Sequence, residues 1–219
     1  ADWATTSRAG GANDFYDMNG DVNTSITAGN VVLQLASTSS SLPGAGGTAV
    51  WSSSGLFVQT RPTQVRYIAL MGKFINDTGT NATQISLSYA FTIAEGSVVE
   101  EPGMGTKVYY STSGLPDSWI NLPSLNSTSS SEGRINLSTN LSLAWAHGGS
   151  LYVLWVDDNS SGSGTADPAN QIDDFSLQVL DGSLPPLACT LSAPASGAAF
   201  VSRRPVFATA TPVYGTAPY

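Results

Sequence analysis

The run Ile85-Ser86-Leu87-Ser88-Tyr89-Ala90-Phe91-Thr92-Ile93 alternates without a break. Its odd-numbered side chains are large and apolar, and those between them are small or polar. Successive side chains of a β-strand point to opposite faces, so a period of two predicts a strand with one dry face and one wet face. Just upstream, residues 65–75 are apolar at most positions and predict a central strand covered on both sides. Asn76-Asp77-Thr78-Gly79 supplies the turn between the two. Further upstream, residues 50–60 read as a strand region carrying Trp51, Leu56 and Phe57, and residues 26–36 as another around Val31 to Leu35. Residues 1–25 read as polar and irregular, with Trp3, Phe15 and Tyr16 as anchors. Downstream, an acidic loop over 95–105 precedes short strands at 107–112, 119–122, 135–137 and 141–145. Residues 151–156 form an unbroken apolar run, the pattern of a strand buried on both faces. A Gly/Ser/Asp loop over 157–170 leads to a closing strand at 172–180.

Eight or more strands with long polar connections predict an all-β, two-sheet antiparallel sandwich of jelly-roll type over residues 1–180. Asp181-Gly182-Ser183-Leu184-Pro185-Pro186 reads as a linker, because two prolines block strand continuation. Residues 187–219 read as a C-terminal β tail with strands near 188–191 and 205–211, too short to hold a sandwich core of its own.

Composition narrows the function. The 219 residues carry 11% charged side chains and a formal charge of −8, with Lys73 and Lys107 as the two lysines. Nucleic-acid binding needs clustered cations, and docking on anionic lipid needs them too, so both are excluded as expectations. No apolar run approaches the roughly 18 residues of a membrane helix. Ser and Thr make about a quarter of the chain, and Cys189 is its one cysteine, which leaves no intrachain disulfide. A start at Ala1-Asp2-Trp3 without methionine matches a mature protein cut from a signal peptide, and with this composition it predicts export to the cell surface. Asn-x-Ser/Thr sequons stand at Asn23, Asn76, Asn81, Asn126, Asn136, Asn140 and Asn159, the number a chain so rich in these residues makes by chance.

Three stretches carry a family resemblance. They are Phe74 to Gly79 with Ile85 to Tyr89, then Val108-Tyr109-Tyr110-Ser111-Thr112 near Trp119, then Tyr152-Val153-Leu154-Trp155-Val156-Asp157-Asp158-Asn159 leading to Ile172-Asp173-Asp174-Phe175. Over about residues 50–180 the chain resembles the secreted jelly-roll modules of bacterial surface proteins. The tail, Cys189 to Phe200 and then Pro205 to Thr211, resembles the first strands of a bacterial immunoglobulin-like domain. Both resemblances imply surface display, and neither implies a reaction.

Candidate chemistry is sparse. Asp157, Asp158, Asp173 and Asp174 flank one loop of an expected antiparallel hairpin, which would bring carboxylates together. Carboxylates that close repel unless a cation compensates, and calcium, which takes about 6 to 8 oxygens, would suit them. Asp caps of ordinary turns are the plainer reading. Asp17-Met18-Asn19-Gly20-Asp21 opens like a calcium loop, but an EF-hand needs a Glu at loop position 12, where Ala28 stands, so only another oxygen cage built on Asp17, Asn19 and Asp21 remains. His147, the one histidine, has no metal-ligand spacing around it, and no nucleophile elbow occurs, so catalysis is not expected. Trp51 and Trp119 border loops and are the candidates for stacking on sugar rings, with the core as their alternative place.

Two functional readings follow. In the first, the chain is a non-enzymatic exported subunit of a fibre or surface layer. Its strand Val206-Phe207-Ala208-Thr209-Ala210 would complete a neighbour's open sheet edge, giving self-association or attachment to another surface protein. In the second, it is a calcium-supported carbohydrate-binding module of a larger extracellular protein, with glycans as partners.

Overall fold

Among the described residues, thirteen strands, one α-helix and one 3-10 turn follow one another. They are β1 (Asp2–Arg8), α1 (Met18–Ser25), β2 (Ala36–Thr38), β3 (Val50–Ser52), β4 (Phe57–Thr60), β5 (Tyr67–Ile75) and β6 (Ala82–Glu95). Then come β7 (Thr106–Ser111), β8 (Ile120–Asn121), the 3-10 turn Pro123–Leu125, β9 (Gly133–Trp145), β10 (Ser150–Asp158) and β11 (Ala169–Val179), with β12 (Cys189–Ala193) and β13 (Thr209–Pro212) last. The structure, a computed structural model, describes residues 2–11, 17–39, 46–95, 105–127, 133–159, 167, 169–180, 189–193 and 209–212.

Two sheets make the sandwich. Sheet A runs β1-β5-β10-β7-β8 and sheet B runs β2-β3-β4-β11-β6-β9. Every pairing is antiparallel except β2 with β3. The fold is therefore the all-β jelly-roll-type sandwich that the alternation predicted. The chain divides into two compact units, Ala1–Asp181 and Gly182–Tyr219.

Alternation along the strands sorts the core. Ile85, Leu87, Tyr89, Phe91 and Ile93 of β6 meet Ile68, Leu70, Val108, Val153 and Trp155 of sheet A in one buried layer between the sheets. The intervening residues of sheet A, Tyr67, Ala69, Met71, Tyr109, Leu154 and Val156, are also buried and therefore face the other way. Their cover comes from the N-terminal segment, through Met18, Val22, Ile26 and Val31, together with Trp119. The central strands are thus dry on both faces, as the apolar run over 151–156 requires.

Several expectations are corrected. The N-terminal region expected to be irregular holds β1 and α1 among its described residues. The Asp17 side chain accepts the Gly20 N–H at 2.9 Å and starts the helix, and Met18, Val22 and Ile26 recur at four-residue spacing on its buried side. Residues 31–35 are not a full strand; Leu33 exchanges two backbone hydrogen bonds with Thr5, and β2 begins only at Ala36. The two short strands expected at 135–137 and 141–145 are one, β9, because β6 is long enough to pair along all of it. Strands β10 and β11 do not form a hairpin. Each already has two neighbours in its own sheet, β5 and β7 for β10, β4 and β6 for β11, so the connection crosses from one sheet to the other. In the tail, β13 is paired antiparallel with β12, Ala210 opposite Leu191 and Thr209 opposite Ala193. Of the strand expected to lack a partner, the described residues Thr209 and Ala210 have one within their own unit.

Candidate functional site

Between the sheets, on the side where β1 lies across from β3 and β4, the buried layer opens into a cleft of about 480 Å³. Its wall on sheet A is Trp3 of β1, which sits in register with Gly72 of β5. Gly72 leaves room for both rings: a Cβ on it would crowd the Phe74 ring at 2.9 Å and the Trp3 ring at 3.3 Å. Trp3 lies 5.6 Å from Trp155, centroid to centroid, and meets Phe175 edge-on at 5.8 Å. Phe74 and Phe175 stack at 5.2 Å. This interlocked aromatic set fixes the Trp3 ring in one orientation.

Sheet B supplies the opposite wall. Trp51 of β3 and Val58 of β4 are in register, as are Val58 and Ile172 of β11, so all three share the inner face. Trp51 remains 37% exposed. A β-bulge in β11, between Asp173 and Ser176, re-aims the strand. Asp174, at its centre, takes φ +49°. The bulge turns Phe175 into the aromatic set and leaves Asp173 and Asp174 at the cleft mouth, where both are bonded to Arg134 of β9. Gln34 adds an amide to the same mouth. Leu56 stands at the rim, 66% exposed and at φ +59°, a combination that costs backbone energy and leaves an apolar side chain in water.

The other Asp pair has a different setting. Asp157 is on the inner face of β10 and fully buried. It accepts hydrogen bonds from Thr106 Oγ1 at 3.1 Å and from Asn170 Nδ2, which reaches across from sheet B, at 2.8 Å. Burial pushes its carboxyl up to about 6, with hydrogen bonds from Thr60, Asn170 and Thr106 opposing the rise and Asp167 adding to it. Asp158 is buried as well. The four carboxylates expected on one hairpin are thus divided between two sheets. Asp157 closes a polar plug between the sheets, Asp158 is buried on the opposite face of β10, and Asp173 and Asp174 line the cleft mouth. Among the described residues, no three His, Cys, Asp or Glu side chains converge on one point.

In the N-terminal segment, the oxygens of Asp17, Asn19 and Asp21 are engaged with groups of the chain itself. Asp17 caps α1, Asn19 Oδ1 accepts the Tyr109 hydroxyl at 2.8 Å, and Asp21 Oδ1 accepts from Ser25 and lies 3.6 Å from Arg8. Trp119 is core: its ring is 5% exposed and its indole N–H donates to the Ile26 carbonyl at 2.8 Å. Of the two tryptophans read as stacking candidates, only Trp51 reaches the cleft. Val206, Phe207 and Ala208 lie outside the described residues. The sequon at Asn76 is occupied structurally, since its buried amide donates to Thr80 and Trp145 carbonyls, whereas Asn136 and Asn140 are exposed on β9. His147 is exposed, and its main-chain N–H donates to Asn81 Oδ1.

No family model matches the chain, and no curated protein matches it. Similar solved structures include a family 16 carbohydrate-binding module, at 16% identity and TM-score 0.36 over 59% of this chain and 82% of that one. Another is the module TmCBM61 in complex with β-1,4-galactotriose, at 15% identity and TM-score 0.33 over 59% of this chain and 74% of that one. A third is the mannan-recognising module TmCBM27, at 16% identity and TM-score 0.31 over 59% and 79%.

Proposed function

We propose that the unit Ala1–Asp181 is a non-catalytic carbohydrate-binding module of an exported protein, and that the cleft between Trp3 and Trp51 holds a glycan. The observation that carries this reading is the chemistry of the cleft itself. Its walls are rings and aliphatic side chains, and its mouth is carboxylate and amide. A pyranose has the same division, with apolar C–H faces that pack on indole and phenyl rings and hydroxyls that donate to carboxylate oxygens. The volume falls in the roughly 300–1,000 Å³ range of small-ligand sites. The strained, exposed Leu56 at the rim fits a surface that a bound chain would cover. The fibre reading needs a strand without a partner, whereas Thr209–Pro212 is paired to Cys189–Ala193.

The test is an oligosaccharide array probed with the intact chain, followed by titration calorimetry on each hit. Trp51→Ala should weaken binding at least tenfold and leave the thermal midpoint nearly unchanged. Failure of the wild-type chain to bind any oligosaccharide on the array would sink the reading.

A further inference from the structure

A sandwich of two open sheets has four edges, and three of them here are short or covered. β8 is two residues long and β2 is three. β1 is covered on its outer side by Leu33, whose N–H and C=O exchange bonds with Thr5 at 3.1 and 2.8 Å. The fourth edge is β9, with thirteen residues. Among the described residues it pairs with β6 alone. A long edge presents a row of backbone donors and acceptors, and proteins that must stay monomeric protect such edges with Lys, Pro or inward charges. β9 has none of these. Its one charged residue, Arg134, is already bonded to Asp173 and Asp174, and its bulge lies at the far end, between Ser142 and Trp145.

The middle of the strand is also symmetric in the class of its side chains. About Thr139, Leu137 mirrors Leu141, Ser138 mirrors Asn140, Asn136 mirrors Ser142 and Ile135 mirrors Leu143. A two-fold contact requires a patch that complements itself, and a palindromic strand is the simplest one. Antiparallel pairing with Thr139 on the axis sets Leu137 opposite Leu141 and Ile135 opposite Leu143 on the inner face, and each serine opposite an asparagine on the outer face. Leu137 and Leu141, half-buried in one copy, and Ile135, 41% exposed, would finish their burial there. No like charges meet. We infer that β9 pairs with β9 of a second copy of this chain, joining two six-stranded sheets into one continuous sheet. The cleft walls at β3, β4 and β11 are separated from this edge by β6, which the Arg134 side chain crosses, so pairing through the β9 backbone leaves the cleft open.

The test uses charge on the outer face, where Ser138 and Asn140 are exposed opposite Ser88 and Ser86 of β6 and tolerate substitution without repacking. Sedimentation of the full wild-type chain over a concentration series should show a monomer–dimer equilibrium. The pair Ser138→Lys with Asn140→Lys sets lysine against lysine across the axis and should weaken dimerisation at least tenfold. The pair Ser138→Lys with Asn140→Glu sets lysine against glutamate only in this register, and should restore it or tighten it. Circular dichroism and the thermal midpoint of a dilute sample verify that both variants are folded. A wild-type chain that stays monomeric at millimolar concentration overturns the proposal. So does a dimer indifferent to the double-lysine pair, or one that responds to both pairs alike.

Discussion

Sheet A is covered on both faces, and the two coverings are built differently. On its outer face, Met18, Val22 and Ile26 of the N-terminal segment and the ring of Trp119 close over Tyr67, Tyr109, Leu154 and Val156. The indole N–H of Trp119 is spent on a carbonyl, and Trp119 itself is 5% exposed. On its inner face, sheet B covers the middle of the layer but not its side, where Trp3 and Trp51 stand apart across a cleft. The two faces use the same kinds of side chain. What separates them is whether the last aromatic has a neighbour of the same chain to bury it, and that is the difference between a packing residue and a binding residue.

The largest effect that would break this contrast is on the closed face. Trp119→Ala should cost about 3–5 kcal/mol, the usual range for deleting a buried tryptophan, read as a lower denaturation midpoint with an unchanged slope. Trp51→Ala, by contrast, should cost under about 1 kcal/mol, because its ring is partly in water already. Similar losses from both substitutions would mean that the cleft wall is structural and the contrast false.

A second test concerns how the inner layer is closed at its polar end. There Asp157 meets Asn170 across the two sheets, with burial lifting its carboxyl from 3.8 to about 6. The folded state thus keeps a proton that the unfolded chain releases between those values. Stability from this group is fully present below about pH 4 and is lost as pH rises to about 6, a change of up to about 3 kcal/mol. Asp157→Asn keeps a neutral side chain of the same shape at all pH values. The variant should match the wild type near pH 4 and exceed it by up to about 3 kcal/mol near pH 7, as measured by denaturant titration at a series of pH values. A constant offset across the range would show that Asp157 is ionised in the fold and that the plug is held by charge.

These contrasts were legible to different degrees. Ile85 to Ile93 is a pure period of two, so the strand and its buried face could be read directly. The run from Leu151 to Val156 is apolar at both phases, which required cover on both sides but did not say what supplies it. The cover is α1, and its signal, Met18, Val22 and Ile26 at four-residue spacing, is thin because polar residues and Gly20 fill the positions between. Such a short helix is held by packing rather than by propensity, and packing is not written in a window of eight residues. The bulge in β11 did leave a trace. Apolar residues stand at Ile172, Phe175, Leu177 and Val179, one step out of phase, and an extra residue in the strand is what restores the period. The expected hairpin of β10 with β11 failed for another reason. Neighbours in sequence usually pair, but pairing is decided by which sheet has a free position, and both strands were already flanked. Trp3 could be seen as an anchor, yet its partner is a glycine, and an absent side chain gives no hydrophobic signal.

The smallest predicted effect has the opposite sign and separates the two faces most sharply. Leu56 is a leucine in left-handed backbone at the rim of the cleft, mostly in water. Asparagine adopts that backbone more readily and has no apolar surface to expose. Leu56→Asn should therefore stabilise the unliganded protein by about 0.5–1 kcal/mol, seen as a higher thermal midpoint. If a glycan covers the rim, the same variant should bind it more weakly, because the bound chain loses an apolar contact. A change that improves the fold and harms the ligand can come only from a residue whose partner lies outside the chain. No substitution in the cluster around Trp119 should show that pairing of signs, since every contact made there is made within the fold.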